Sequence, residues 1–226
     1  MESRVRTEPN SLNRHERPDL AEIIKHRRAT NHFTDGEVSD QDLENILYYA
    51  GQAPSGYNLQ PWRFLVVREA ENKQRLQKAA FDQEKISEAS VVLIFLGMPQ
   101  ETQDRARSVF EEGNRRGLGK PENLEQNLNG ALEFIYSTYG WKLWVHRHTM
   151  IAFSFAMIMA EWLGYDTAPM EGFDAAAVKR EFEIPQEAEV VALLAIGRAK
   201  DPDKKYPGRF PLEQVAFCEK YGDNWK

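Results

Sequence analysis

Apolar residues along this chain fall into segments of different period, and the periods predict the elements. Residues 1–17 are polar and charged without periodicity and read as an arm or disordered leader. Pro18-Asp19 offers a helix start, and Leu20, Ile23 and Ile24 follow as one stripe. A second helix begins near Ser39, where Asp42 stands in for the Glu of a capping box. Leu43, Ile46, Leu47 and Ala50 recur there at helical spacing, up to Gly51. Residues 62–67 read as a strand and 72–80 as a short helix. Residues 91–96 (Val-Val-Leu-Ile-Phe-Leu) are continuously apolar, as in a strand covered on both faces. Residues 100–129 are highly charged, with Gly113, Gly117 and Gly119, and predict a helix plus an exposed excursion. Residues 141–163 predict a long core helix stopped by Gly164. A short helix over 174–182, a buried strand over 189–196 and a tail rich in Lys, Pro and aromatics complete the chain. Without repeats or a linker, the expectation is an arm (1–17) and one domain (18–226), of class α+β, with a small mixed sheet wrapped by helices.

Charge and composition narrow the function classes. With 29 Lys and Arg against 35 Asp and Glu, the net charge is −6. Such a chain has no general attraction for nucleic acid or anionic lipid, so an anionic ligand must be held by local basic residues. The single cysteine, Cys218, excludes an internal disulfide, and no Cys/His cluster suggests a metal. The apolar stretch 149–163 contains Glu161 and is shorter than the ~20 residues of a membrane span, so it predicts a buried core or subunit-interface helix. Met1-Glu2-Ser3-Arg4 opens no apolar signal region. The expectation is a cytoplasmic protein with no membrane or nucleic-acid partner.

Four places carry candidate chemistry. Arg27 and Arg28 follow a helix and are either a solvated face or a phosphate site, since guanidinium forks bind phosphate bidentately. Arg209 lies between Pro207-Gly208 and Pro211, which pre-shape its segment. Ala53-Pro54-Ser55-Gly56-Tyr57-Asn58-Leu59-Gln60-Pro61 is a Pro-bounded loop whose amides, Ser55 and Asn58 suit a planar hydrogen-bonding ring; Trp62 after it reads as core. In Pro169-Met170-Glu171-Gly172-Phe173 the glycine permits close approach of backbone to a ligand. Lys85 and Glu171 taken alone are no more than surface charges.

In this order the four segments resemble the nitroreductase family of FMN enzymes. Arg27-Arg28-Ala29-Thr30-Asn31-His32-Phe33 resembles the family's opening Arg-Arg-Ser-x-Arg-x-Phe. Residues 53–62 closely match its Ala-Pro-Ser-x-x-Asn-x-Gln-Pro-Trp loop, residues 169–173 its Pro-x-Glu-Gly-Phe turn, and residues 207–211 its terminal Lys-x-Arg-x-Pro. The similarity spans about residues 19–216, and the loop is its most specific part.

The resemblance implies a nitroreductase-like fold, with a small mainly antiparallel sheet surrounded by helices, in an intertwined homodimer. It implies FMN as cofactor and NAD(P)H as electron donor, with nitroaromatic, quinone or related acceptors reduced by ping-pong hydride transfer through the flavin N5 and no catalytic side chain. Arg27, Arg28 and Arg209 would hold the FMN phosphate. Pro54, Ser55, Gly56 and Asn58 would reach the flavin of the neighbouring subunit. Lys85 would lie near its N1–C2 carbonyl edge, and the backbone of Pro169, Met170, Glu171 and Gly172 near N5. Asp82 or Gln83 would contact the pyrimidine end. Phe134, Tyr136 and Tyr139 are the candidate walls of the acceptor pocket, from their position after the charged excursion and their aromatic density. The chain departs from the family at Ala29, which lacks a serine hydroxyl, at Asn31, which replaces a basic residue, and at Pro207, which replaces a lysine; Lys204 and Lys205 are candidates to compensate. Reductive dehalogenation, which in this family uses a lid, has only residues 81–90 in which to place one. Flavin fragmentation to dimethylbenzimidazole, flavin binding without turnover, and a structural protein that has lost the cofactor are rival readings of the same motifs.

Overall fold

The computed structural model describes residues 18–201 and 206–225. Its elements in chain order are α1 (Leu20–His26), α2 (Asp40–Gly51), β1 (Trp62–Val67), α3 (Ala70–Ala79), α4 (Lys85–Glu88), β2 (Val91–Gly97), α5 (Pro99–Arg115), α6 (Leu124–Thr138), α7 (Trp141–Trp162), β3 (Asp166–Met170), α8 (Ala175–Glu181), β4 (Glu189–Gly197) and α9 (Leu212–Val215). The four strands form one sheet of order β1-β2-β4-β3, and every ladder in it is antiparallel. The sheet is therefore not mixed, as the pattern alone suggested. Parallel pairing among the described residues is limited to the isolated bridge between Ala29 and Thr167.

The continuous apolar run of β2 has the anticipated cause. Successive side chains of a strand point to opposite faces. Val91, Leu93 and Phe95 pack with Ile46 of α2 and Phe153, Ala156 and Ala160 of α7, while Val92 and Ile94 pack with Leu76, Ile86 and Val178 on the other face. All seven residues of β2 are buried. Alanines at 152, 156 and 160 keep one face of α7 low, which lets that long helix lie close to its neighbours.

Local chemistry sets the helix ends. Asp19 caps α1 through Ala21 N–H at 2.9 Å, and Ser39 caps α2 through Asp42 N–H at 3.1 Å. The capping box is only half built: the Asp42 carboxylate accepts from the Ser39 hydroxyl (2.9 Å) and the Tyr165 hydroxyl (2.6 Å). Gly164, at φ +88°, ends α7 as expected.

Two parts of the chain differ from the pattern. Residues 166–170, for which the pattern predicts no strand and which overlap the turn read over 169–173, form β3. A proline lacks the ladder donor, but β3 is an edge strand, where that loss is tolerated. The charged excursion is two helices, α5 and α6, the second running on to Thr138. It is not merely exposed. Ala106 of α5 and Leu128 and Ile135 of α6 pack with Leu59, Trp144 and Val145 in a separate apolar cluster. Residues 1–17 of the expected arm lie outside the described residues. Among the described residues, no helix is long and apolar enough to cross a membrane.

Candidate functional site

β3 and the tail gather the distant motifs. Thr30 N–H donates to the Thr167 carbonyl at 2.9 Å, which lays the Arg27–Asn31 segment along the start of β3. The far end of β3 runs directly into Glu171 and Gly172. Beyond the bridge, Thr34 N–H donates to Arg198 O (2.9 Å) and Lys200 N–H to His32 O (3.0 Å), so the same segment also borders the exit of β4. Phe33 is buried here against Gly197, where a Cβ would stand 2.9 Å from the Phe33 ring and 3.3 Å from the Ser90 nitrogen. Only a residue without a side chain permits that approach.

Arg28 and Arg209 converge on one ring. The Arg28 guanidinium sits 4.2 Å from the centroid of the Tyr206 ring, and that of Arg209 sits 5.7 Å from the same centroid. Nη1 of Arg27, the residue that caps α1, is buried without a hydrogen-bond partner. A buried guanidinium nitrogen with nothing to donate to is costly unless an acceptor arrives. Lys204 and Lys205 lie outside the described residues. Ala29 and Asn31 are exposed beside this cluster.

A second edge of the site is built by α4 and the turn before it. The Gln83 amide donates to Gly172 O at 2.7 Å and to Ala80 O at 3.0 Å, fixing the peptide that follows Gly172. Of the two pyrimidine-end candidates, Gln83 is thus the one whose side chain joins the 171–172 turn. Asp82 is exposed at φ +56°, its N–H on Gln77 O at 3.0 Å. Lys85 is half-buried at the start of α4. One turn later, Glu88 accepts from Phe33 N–H (3.0 Å) and lies 3.3 Å from His32 Nδ1. Burial pushes the Glu88 carboxyl up, but Phe33 N–H, His32 and Lys200 outweigh it and hold the group below the usual carboxylate range. Glu88 therefore ties the first motif to the helix that carries Lys85. Donor atoms of His32, Glu84 and Glu88 lie within 4.8 Å of one another, a grouping that the sequence does not signal.

The Pro-bounded loop is held in an unusual backbone. Gly56–Asn58 forms a 3-10 turn, and three non-glycine residues have left-handed φ: Tyr57 (+54°), Asn58 (+55°) and Gln60 (+45°). Such residues cost roughly 1–2 kcal/mol each and persist only where the surroundings enforce them. Ser55 Oγ accepts from Gln60 N–H at 2.9 Å, and the Gln60 amide donates to Asn58 O at 3.0 Å. Gly56 backs onto Trp144 and His148, where a Cβ would meet each at 3.3 Å. Pro54 and Asn58 remain exposed, while Trp62 is buried with Ala53 and Ala152 as core.

Next to this loop is a cleft of about 400 Å³, lined by Tyr57, Asn58, Val109, Phe110, Gly113, Asn114, Leu118, Gly119 and Asn127. The Tyr57 and Phe110 rings stack there at 6.2 Å and 26°. None of the lining side chains is charged. The structure places Phe134, Tyr136 and Tyr139 elsewhere, at the end of α6. Phe134 meets Tyr139 edge-on at 5.8 Å, Arg147 lies 4.8 Å over Tyr139, and Tyr136 is exposed. Apart from Tyr57 and Asn58 of the loop motif, the cleft residues carry no sequence signal, because Val109, Phe110 and Leu118 are sparse apolar positions within a charged segment. Tyr206 carries none either, because only its neighbours match a motif.

A family model described as the nitroreductase family matches residues 24–198. The chain belongs to the nitroreductase family. A Thermus thermophilus relative named NADH dehydrogenase is 31% identical over 84% of this chain and 91% of its own. MhqN of Bacillus subtilis, which is named as an NAD(P)H nitroreductase, is 29% identical over 87% of this chain and 97% of its own. A solved structure from Exiguobacterium sibiricum 255-15, described as a nitroreductase in complex with FMN, superposes with a TM-score of 0.77 at 28% identity, covering 92% of this chain and 98% of the other.

Proposed function

We propose that this nitroreductase-family oxidoreductase holds FMN and uses NAD(P)H to reduce small organic acceptors such as nitroaromatics or quinones, as a homodimer. The observation that carries the reading is the meeting of Arg28 and Arg209 at Tyr206, together with the buried unpartnered Nη1 of Arg27, the residue before Arg28 in the chain. Three guanidinium groups from the two ends of the domain, on a chain of net charge −6, suit a phosphate dianion. The orphaned Arg27 nitrogen lacks an acceptor, which a phosphate oxygen would supply. The FMN complex of the Exiguobacterium relative and the NAD(P)H in the MhqN name support the cofactor and donor.

In this reading Arg27, Arg28 and Arg209 bind the phosphate, with the backbone around Ala29 and Asn31 beside it. The peptides of Pro169, Met170, Glu171 and Gly172 line the ring, their position fixed by Gln83. Lys85 places a positive charge at the ring edge, where it favours electron uptake. Bound there, FMN supplies the centre that accepts and donates hydride, chemistry that no side chain of this chain carries. Pro54, Ser55, Gly56 and Asn58 serve the neighbouring subunit's flavin, which makes the dimer a condition of activity. The uncharged cleft beside Tyr57 receives the acceptor.

The test is spectroscopic. Purified protein incubated with FMN is expected to retain a band near ~450 nm on gel filtration. NADH or NADPH should bleach it anaerobically, and an added quinone should restore it. Light scattering should give twice the 26.1 kDa of the chain. Protein that retains no flavin, or flavin that neither nicotinamide bleaches, overturns the proposal.

A further inference from the structure

We infer that Arg105 of α5 is a positioning residue, holding the left-handed loop 54–61 in the conformation that reaches the flavin. Its Nη2 donates to the carbonyl of Gln60, one of the three strained residues, at 3.1 Å. Arg105 is itself held. Its Nε, which has no hydrogen-bond partner, lies in an ion pair 3.7 Å from Oε1 of Glu101, and Glu101 also pairs with Arg63 of β1. The Arg105 guanidinium is half-buried. Burial and the nearby Arg63 lower its proton affinity, with Glu101 opposing them.

The loop's own bonds do not fix it against the sheet. Asn58 N–H to Ser55 O, Leu59 N–H to Gly56 O and Gln60 N–H to Ser55 Oγ all close within the loop. Anchorage comes from outside: Met98 N–H on Pro61 O at 2.9 Å, Leu59 in the apolar cluster with Ala106, Phe110 against Tyr57, and Arg105 on Gln60. α7 also backs the loop, through Trp144 and His148 against Gly56, while three of these four anchors involve α5 residues. The polar one acts on a peptide adjoining the strain. The charged excursion is thus a brace for the loop, and Arg105 is its directional element.

The inference rests on the flavin reading only for what the loop does, and the experiment separates the two. Arg105→Met keeps the packed stem and removes the donors; Arg105→Lys keeps one charged donor. Hydrogen exchange is followed on the apoprotein, and FMN affinity by titration. In Arg105→Met, amides 55–60 are expected to exchange about 10-fold faster, while α7, β2 and the melting temperature stay near wild type. FMN affinity should fall about 10-fold, and Arg105→Lys should recover part of both effects. Unchanged exchange at 55–60 overturns the inference. So does a loosening spread evenly over α5, α6 and α7, which makes Arg105 a general packing residue, and so does a lysine variant no better than methionine. If wild-type protein binds no FMN, the functional reading fails, and the exchange data still decide the role of Arg105.

Discussion

Arg28 and Arg209 lie against one aromatic ring, that of Tyr206, at 4.2 and 5.7 Å from its centroid. Arg28 is fixed further by donating to Lys25 O (2.8 Å) and Arg27 O (2.7 Å), and Arg209 by donating to Gly208 O (2.6 Å). Two like charges brought together repel, so the arrangement favours an anion between or beside them.

Arg209→Ala is therefore expected to weaken FMN binding about 10- to 100-fold, the equivalent of a charged hydrogen bond of about 1.5–3 kcal/mol. Riboflavin, which lacks the phosphate, should bind the variant as it binds wild type. Tyr206→Ala should act in the same direction with a smaller effect. Titration of flavin fluorescence at two salt concentrations measures both. Equal losses for FMN and riboflavin would place Arg209 away from the phosphate.

Gly197 ends β4 where Phe33 crosses it. Alanine there puts Cβ 2.9 Å from the Phe33 ring and 3.3 Å from the Ser90 nitrogen. The backbone atom cannot swing aside, so the ring and the chain must both shift. Overpacking of this kind costs about 1–3 kcal/mol, and in a domain of this size about 2–4 °C of melting temperature per kcal/mol. Because Phe33 closes the first motif, Gly197→Ala should also loosen FMN. A calorimetric scan showing no loss of stability would mean the crossing is less tight than these distances imply.

What is legible in the sequence follows a physical divide. β2 announces itself because both its faces are buried, and α7 because its second half, from Thr149 on, is apolar on nearly all faces. The four motifs are readable because each needs particular residue types in a row. Relations across the chain leave no local trace. β3 is hidden by Pro169, which reads as a breaker unless the strand is known to lie at an edge. Tyr206 matters only because Arg28 and Arg209 flank it, and Gln83 only because its amide finds Gly172. Aromatic density points to α6 for the acceptor cleft. The uncharged cleft beside the loop, proposed above for the acceptor, is lined instead by Tyr57 and by Val109 and Phe110 of α5, since a cleft is a product of packing and not of composition.

Glu189 gives a pH-dependent stability. Lys142 Nζ lies 2.9 Å and His146 Nε2 3.2 Å from its Oε2. Burial pushes this carboxyl up, yet Lys142 and His146 outweigh it and hold it below the usual range. A carboxyl with a depressed folded pKa stabilises at pH values above its unfolded pKa of about 4. That contribution is lost as pH falls through the lower folded value. Glu189→Gln should thus melt a few degrees below wild type at neutral pH, for about 1 kcal/mol. The two curves should converge in acid. A gap that persists unchanged to about pH 2, below both pKa values, would show that shape and not charge is responsible.

Thr149 offers the opposite sign. It is fully buried in the middle of α7, and its hydroxyl has no hydrogen-bond partner. A buried hydroxyl without a partner has lost its hydration and gained nothing for it. Valine has the same branched shape and nearly the same helical preference, so Thr149→Val removes the polar atom while keeping the packing. Stability should rise by about 1 kcal/mol, some 2–4 °C in melting temperature. Thr149→Ala also removes the hydroxyl but leaves a void where the methyl was, and should fall below the valine variant by about 1 kcal/mol. Thermal unfolding of the two variants beside wild type separates the effects. A valine variant less stable than wild type would show that the hydroxyl is bonded in solution, and that α7 needs it.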